Sequence, residues 1–198
     1  MPIAVEAEVR DVLADFEPVI GDAIDAAWND DWINSPFRAL ISWKRVRANY
    51  LHERIVRRIS MDLGGNNEVR IFSSDETAKF LFRDRVVARL KKGDRDGLGT
   101  NIETQCVLDF IDAQAVLPNF PPEAQKVEIL YFLNDLETKI ERVLVTARHR
   151  YTRLWAYELR RGKGGEIVPL IPQAPIGDGS GGVVVRPRRP SKPDSEIG

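Results

Sequence analysis

The sequence predicts an α+β protein: an N-terminal helical pair packed on a mostly antiparallel sheet of about six strands, followed by a flexible C-terminal tail. Three observations predict it. Apolar residues recur at intervals of three and four through the first third of the chain. From Glu68 the period falls to two and β-branched and aromatic residues take over. After Arg161 glycine and proline displace both patterns. The expected organisation is a single domain over residues 1–161, with the helical pair in 1–65 and the β-rich part in 68–161, and a tail over 162–198.

The first helical stretch runs from about Val5 to Ile33, on a stripe of Val5, Val9, Val12, Phe16, Ile20, Ile24, Ala27 and Trp28. Pro18 interrupts it, since proline loses a backbone bond and clashes with the preceding turn, so a kink or two shorter helices are expected. Ser35-Pro36 reads as a cap and first position of a second helix reaching Leu63, with Phe37, Ile41, Ala48, Leu51, Ile55 and Ile59 inward. Gly64-Gly65-Asn66-Asn67 ends it. Val69–Phe72 is a short strand, and Lys79–Arg83 with Arg85–Lys92 form a tight hairpin around Asp84. Thr104–Asp112 is a further candidate strand, and Pro118-Asn119-Phe120-Pro121-Pro122 is a connection. Val127–Asn134, Ile140–Arg148 and Thr152–Leu159 form a three-stranded meander. In the tail, Val183-Val184-Val185 alone could pair with an edge or dock on a partner.

The chain has 198 residues, 43% of them hydrophobic and 30% charged, the balance of an ordinary globular protein. A formal net charge of -1 gives the whole molecule no electrostatic preference for nucleic acid or anionic membrane, so any such preference is local. One cysteine, Cys106, excludes an intramolecular disulfide or multi-thiolate metal site and fits a reducing cytoplasm. No apolar run reaches the roughly 18 residues of a membrane span, and the acidic N-terminal stretch does not read as a secretory signal. A cytoplasmic location without membrane contact is expected.

Catalytic motifs are weak. His52 and His149 sit among arginines, which disfavour imidazolium, and nothing in the sequence brings them together. The loop Lys91–Asn101 fails as a calcium loop, because Leu98 and Gln105 fall on ligand positions, and it lacks the Gly-Lys-Ser/Thr ending of a phosphate loop. It remains a candidate anion-binding or merely solvated connection. Glu137-Thr138-Lys139 has a nuclease-like Glu-x-Lys spacing, with Asp109, Asp112 and Glu128 as conceivable companions, but falls in a turn. Cys106 has no adjacent base and reads as a packed thiol. No catalytic residue, metal site or cofactor is assigned.

Charge patterning says more. Residues 1–34 hold nine acidic side chains and one arginine, whereas 35–61 hold seven Lys or Arg and one glutamate. Arginines number 21 against 8 lysines, and arginine is preferred where a planar fork meets carboxylate or phosphate. Lys44, Arg47, Arg54 and Arg58 fall on one flank of the second helix, where they could grip a phosphate backbone or the acidic first helix. Strand alternation puts Arg85, Val87, Arg89 and Lys91 on one face, expected to be solvated, and Arg95 lies in the loop beyond. Alternation also groups Arg153, Trp155 and Tyr157, either as a base-stacking platform or as core. Trp28, Trp32 and Trp43 surround the inter-helix corner, where they could anchor the helices or a partner.

Trp43-Lys44-Arg45-Val46-Arg47-Ala48-Asn49, Gly97–Gln105 and Thr152–Tyr157 together resemble small bacterial and prophage proteins without an assigned activity, over roughly residues 35–160. The resemblance implies a bacterial accessory protein of a regulatory, toxin-antitoxin or phage-defence system, and transfers no site residue. The expected function is a non-enzymatic interaction or regulatory protein that binds a partner protein. The alternative is a nucleic-acid-binding module using Lys44, Arg47, Arg54, Arg58, Arg89, Lys91 and Arg95, and the third reading is a small nuclease.

Overall fold

A computed structural model describes residues 1–74, 77–100 and 104–162, all within the first of the two units into which the chain divides. The expected tail beyond Gly162, with Val183-Val184-Val185, lies outside the described residues. The fold is α+β, with four α-helices and one six-stranded, mostly antiparallel sheet among the described residues.

The helical stretch divides near Pro18. Helix α1 spans Glu6–Leu13 and α2 spans Glu17–Ala26, which places Pro18 in the first turn, where its missing N–H leaves no helical bond unmade. A π-helical segment, Ala27–Ile33, continues α2. The next helix begins later than its Ser35-Pro36 signal. Ser35 Oγ accepts from Phe37 N at 3.2 Å, yet only a 3-10 turn, Arg38–Leu40, follows, and α3 runs Lys44–Leu63. Its buried stripe is Leu51, Ile55, Ile59 and Leu63; Phe37, expected in that stripe, is exposed.

Strands β1 (Val69–Ser74), β2 (Thr77–Phe82) and β3 (Val86–Lys92) form antiparallel hairpins, and β4 (Gln125–Leu133), β5 (Ile140–His149) and β6 (Thr152–Glu158) form the meander. The β2–β3 turn has positive φ at both Arg83 (48°) and Asp84 (55°), the type I′ geometry whose twist matches that of the flanking strands. Strand order follows the sequence, β1 to β6, and only β3 and β4 are parallel, with Arg89 opposite Glu128.

A parallel neighbour cannot be reached by a tight turn, so residues 93–124 must cross over the sheet. Within this crossover lies α4, Gln105–Ile111, where a strand was expected. Thr104 Oγ1 accepts from Val107 N at 3.4 Å as its N-cap, and Val107, Phe110 and Ile111 have helical spacing, although Cys106, Leu108 and Phe110 also alternate. Cys106 on α4 is exposed, not a packed thiol.

The sheet therefore has two buried faces. On one, Val9, Phe16, Ile24 and Trp28 of the N-terminal helices and Leu51, Ile55 and Ile59 of α3 share a cluster with Phe80, Phe82, Ala88, Val127, Ile129 and Val145. On the other, Phe110, Leu117 and Ala124 of the crossover pack on Leu81 and Val87, with Phe72, Phe120 and Met1 at the margin. The face of β3 expected to be solvated is thus largely covered: Val87 and Arg89 are buried, Lys91 is partly buried, and Arg85 alone is exposed. Beyond β6, Arg160 Nε and N bond the buried Glu17 carboxylate at 3.1 and 3.2 Å, fastening the chain to α2.

The crossover is also held by a charge. Lys126, buried on β4, donates to the carbonyls of Asp109 (2.9 Å), Asp112 (2.5 Å) and Ala115 (2.7 Å), in the last turn of α4 and the segment that follows it. Lys126→Met keeps the apolar stem but removes all three donors. It is expected to lower unfolding free energy by about 2–3 kcal/mol, measurable by urea denaturation.

Candidate functional site

The arginine flank of α3 is occupied from within the chain. Arg58 straddles the Asp31 carboxylate, Nε to Oδ2 at 2.7 Å and Nη2 to Oδ1 at 3.0 Å, and Arg54 Nη2 adds a bond to Oδ1 at 3.1 Å. Tyr50 OH donates to the Asp31 carbonyl at 3.1 Å. The internal partner foreseen for the basic helix is thus Asp31, with Asp30 3.5 Å from Arg58. The hydrogen bond from Arg58, helped by Arg54 against the cost of burial, holds the Asp31 carboxyl well below the usual carboxylate range.

A second group gathers on Glu137. This residue has φ 51° in the β4–β5 turn, whose shape is set by Asn134 Oδ1 accepting from Thr138 N (2.7 Å) and Lys139 N (3.1 Å). Its carboxylate bonds Arg47, is 3.3 Å from Lys92 Nζ and 3.7 Å from Lys44 Nζ. Burial pushes the Glu137 carboxyl up, but Arg47 and Lys92 outweigh it and the net shift is downward. A carboxylate so held is a structural anchor of the turn.

The third group lies under the crossover. Arg89 donates to Glu128 Oε1 through Nε at 3.0 Å and Nη2 at 2.5 Å, and its guanidinium stands 4.3 Å from the Phe110 ring centre. Arg148 Nη1 is 3.5 Å from Glu128 Oε2. Burial, and then Arg89, lower the Lys91 pKa. Arg95 is exposed in the following loop. There Asp94 Oδ1 accepts from Asp96 N (3.0 Å) and Leu98 N (2.8 Å), so the amides that would cradle an anion are already engaged.

The seven cations singled out in the sequence therefore fall into separate groups: Arg54 with Arg58, Lys44 with Arg47, Arg89 with Lys91, and Arg95 by itself. The aromatic grouping on β6 also separates. An irregularity in the β5–β6 register pairs Arg153 with Arg148 but Trp155 with Ala147, so Arg153 turns to the crossover face. Trp155 Nε1 donates to Ala4 O at 2.8 Å, and buried Tyr157 lies beneath the Arg10 guanidinium at 3.8 Å. These rings are packing, not a stacking platform.

The histidines have separate duties as well. Burial, then Lys91, hold the His52 imidazole down to about 4. His149 Nδ1 accepts from Ala113 N at 3.2 Å beside Asp112. Among the described residues no group of three or more His, Cys, Asp or Glu is placed to hold a metal ion.

What sequence reasoning missed is an apolar corner. Leu40 and Trp43 are each 77% exposed, and Phe37 and Val46 are about half exposed. Phe37 and Leu40, three apart across a 3-10 turn, share a face. Leu136, 81% exposed, precedes Glu137, whose contacts with Lys44 and Arg47 bring the β4–β5 turn against the first turn of α3. The corner is edged by exposed Arg38, Lys44 and Arg45. Trp28 and Trp32 are core, leaving Trp43 as the tryptophan of this corner open to a partner. The available signal was the crowding of Phe37, Leu40, Ile41, Trp43 and Val46 into ten residues, more than one helical stripe can bury.

No protein-family model, curated protein or solved structure matches the chain.

Asp31 supplies a test of the internal pairing. A carboxyl whose pKa is depressed on folding contributes stability that is full above its unfolded value and is lost as pH falls through the folded one. Asp31→Asn is expected to cost about 1.5–3 kcal/mol at neutral pH and to flatten the loss of stability below about pH 4, both read from denaturant titrations at a series of pH values.

Proposed function

We propose that the protein is a non-enzymatic interaction protein, regulatory in role, that binds a partner protein through Phe37, Leu40, Trp43, Val46 and Leu136. The observation that carries this reading is the exposure of large apolar side chains at one corner between two well-packed helical segments. Leaving such surface in water is unfavourable by about 25 cal/mol per Å², and rimmed apolar patches mark interaction sites. The rim of Arg38, Lys44 and Arg45 favours a partner whose apolar contact is bordered by carboxylates. It disfavours symmetric self-association, which would bring like charges together.

A nucleic-acid-binding role is the weaker reading. Arg47, Arg54, Arg58 and Arg89 already bond carboxylates, so releasing them to phosphates would break folded-state contacts. Nuclease chemistry has less support, because Glu137 is bound by Arg47, Lys44 and Lys92.

The test is quantitative binding of the purified partner, identified by stoichiometric co-purification, to three forms of the protein. Leu40→Ser with Trp43→Ser is expected to weaken affinity by about 30-fold or more, the loss of one or two anchors at roughly 2 kcal/mol. Arg95→Gln is expected to leave it unchanged. Equal affinity for all three forms, or a tight, steeply salt-dependent complex with single-stranded oligonucleotide instead, would overturn the reading.

A further inference from the structure

Strand β6 lies at the edge of the sheet, and among the described residues β5 is its only strand neighbour. Just beyond the strand, Leu159 N donates to Val143 O at 2.9 Å. Bonded and unbonded pairs alternate along an antiparallel ladder, so Tyr157 and Trp155 direct their main-chain groups to Val145 and Ala147. Glu158, Ala156 and Arg153, opposite Leu144, Thr146 and Arg148, turn theirs outward. The register irregularity makes Leu154 an extra residue, which keeps Arg153 in phase with Ala156 and Glu158. All three residues also share one face of the sheet, the side on which Thr146 stands opposite Glu128.

An edge of outward amides and carbonyls is a template for another strand. The side chains beside this one are apolar: Leu154 is exposed, and Ile3 and Val5 are each 49% exposed where Ala4 O accepts from Trp155 Nε1 at 2.8 Å. The order of charges along the edge selects the occupant. Arg153 and Glu158 are exposed and make no ion pair among the described residues. A two-fold axis through Ala156 sets that residue against its own copy and, with Leu154 as the extra residue in each strand, sets Arg153 against Glu158 at both ends. Each charge then meets its opposite on the same face, and only alanine stands at the axis. Strand β1, the other edge, has no such register, because Arg70 is its single charged residue and bonds Asp84 within the chain.

We infer that β6 is the surface through which two copies of this chain associate, antiparallel across a two-fold axis, into one continuous sheet. Each outward pair exchanges both of its main-chain bonds, and the Arg153–Glu158 contacts between copies fix the register. In the single chain Arg153 Nη1 lies against Gly97; on pairing it turns to the edge, a side-chain change of the kind common at interfaces. No residue of the apolar corner takes part, so the pairing is independent of partner binding there.

The experiment is sedimentation velocity of the full chain from about 1 to 200 µM, and a monomer–dimer equilibrium is expected. Arg153→Glu and Glu158→Arg each place like charges opposite one another twice, and each should weaken the dimer about tenfold or more. The two substitutions together restore opposite signs and should recover the original affinity. Ala156→Pro removes the outward N–H at the axis, a loss an edge strand tolerates, and should abolish the dimer while Tm shows the fold kept. If Ala156→Pro does not fold, the charge series decides alone. A monomer at every concentration, a dimer indifferent to both charge reversals, or a double reversal no tighter than the single ones would overturn the assignment.

Discussion

The parallel pairing of β3 with β4 is the constraint from which most of the structure follows. Every other neighbouring pair is antiparallel, and each of those four pairs is joined by at most six residues between the named strands, too few to add a layer. This one pair requires residues 93–124 to travel across the sheet, and they do so with an apolar edge of Phe110, Leu117 and Ala124. A sheet otherwise covered on one face by the N-terminal helices is thereby covered on both. The charged side chains that alternation places on the second face must then be accommodated in the interior.

Their accommodation shows how much pairing a buried charge demands. Arg89 gains two bonds to one oxygen of Glu128 and a ring face from Phe110, and Lys126 exchanges water for three carbonyls at the end of α4. These groups link the sheet and the crossover at that point: strand to strand through Arg89 and Glu128, strand to crossover through Lys126. Such pairs add less net stability than apolar replacements of equal volume, since desolvation offsets much of the attraction. Their geometric demands, however, fix the register of β3 against β4, because sliding by one residue would send Arg89 into the apolar face beside Phe80 and Ala88.

Local patterns made much of this legible. The division near Pro18, the Arg83-Asp84 turn and the final meander followed from spacing and turn chemistry, because each is decided by neighbours in sequence. The helix at 105–111 was not, since Cys106, Leu108 and Phe110 alternate as in a strand while Val107, Phe110 and Ile111 have helical spacing, and the deciding factor is the crossover. Nor was the fate of the cations. Lys44 and Arg47 share a flank with Arg54 and Arg58, but Glu137 that holds the first two lies 90 residues from Arg47 in the chain. Arg153 left its expected neighbours because of one register shift in β6. Trp43 was visible as an anchor, but not that Trp28 and Trp32 would be core while it stayed outside.

With the arginine flank closed on Asp31 and Glu137, the surface proposed for recognition is the apolar corner between the 3-10 turn and α3. Its two parts, residues 37–46 and the turn at Leu136, are joined by the Glu137 contacts, so the corner is a product of the tertiary fold and not of a single peptide. The most direct measurement of this account is hydrogen exchange of the protein alone and saturated with its purified partner. Slowed exchange confined to residues 36–46 and 134–138 is the predicted result. Slowed exchange in β3 and the loop at 93–97, with 36–46 unchanged, would contradict it and place recognition on the cationic side of the sheet.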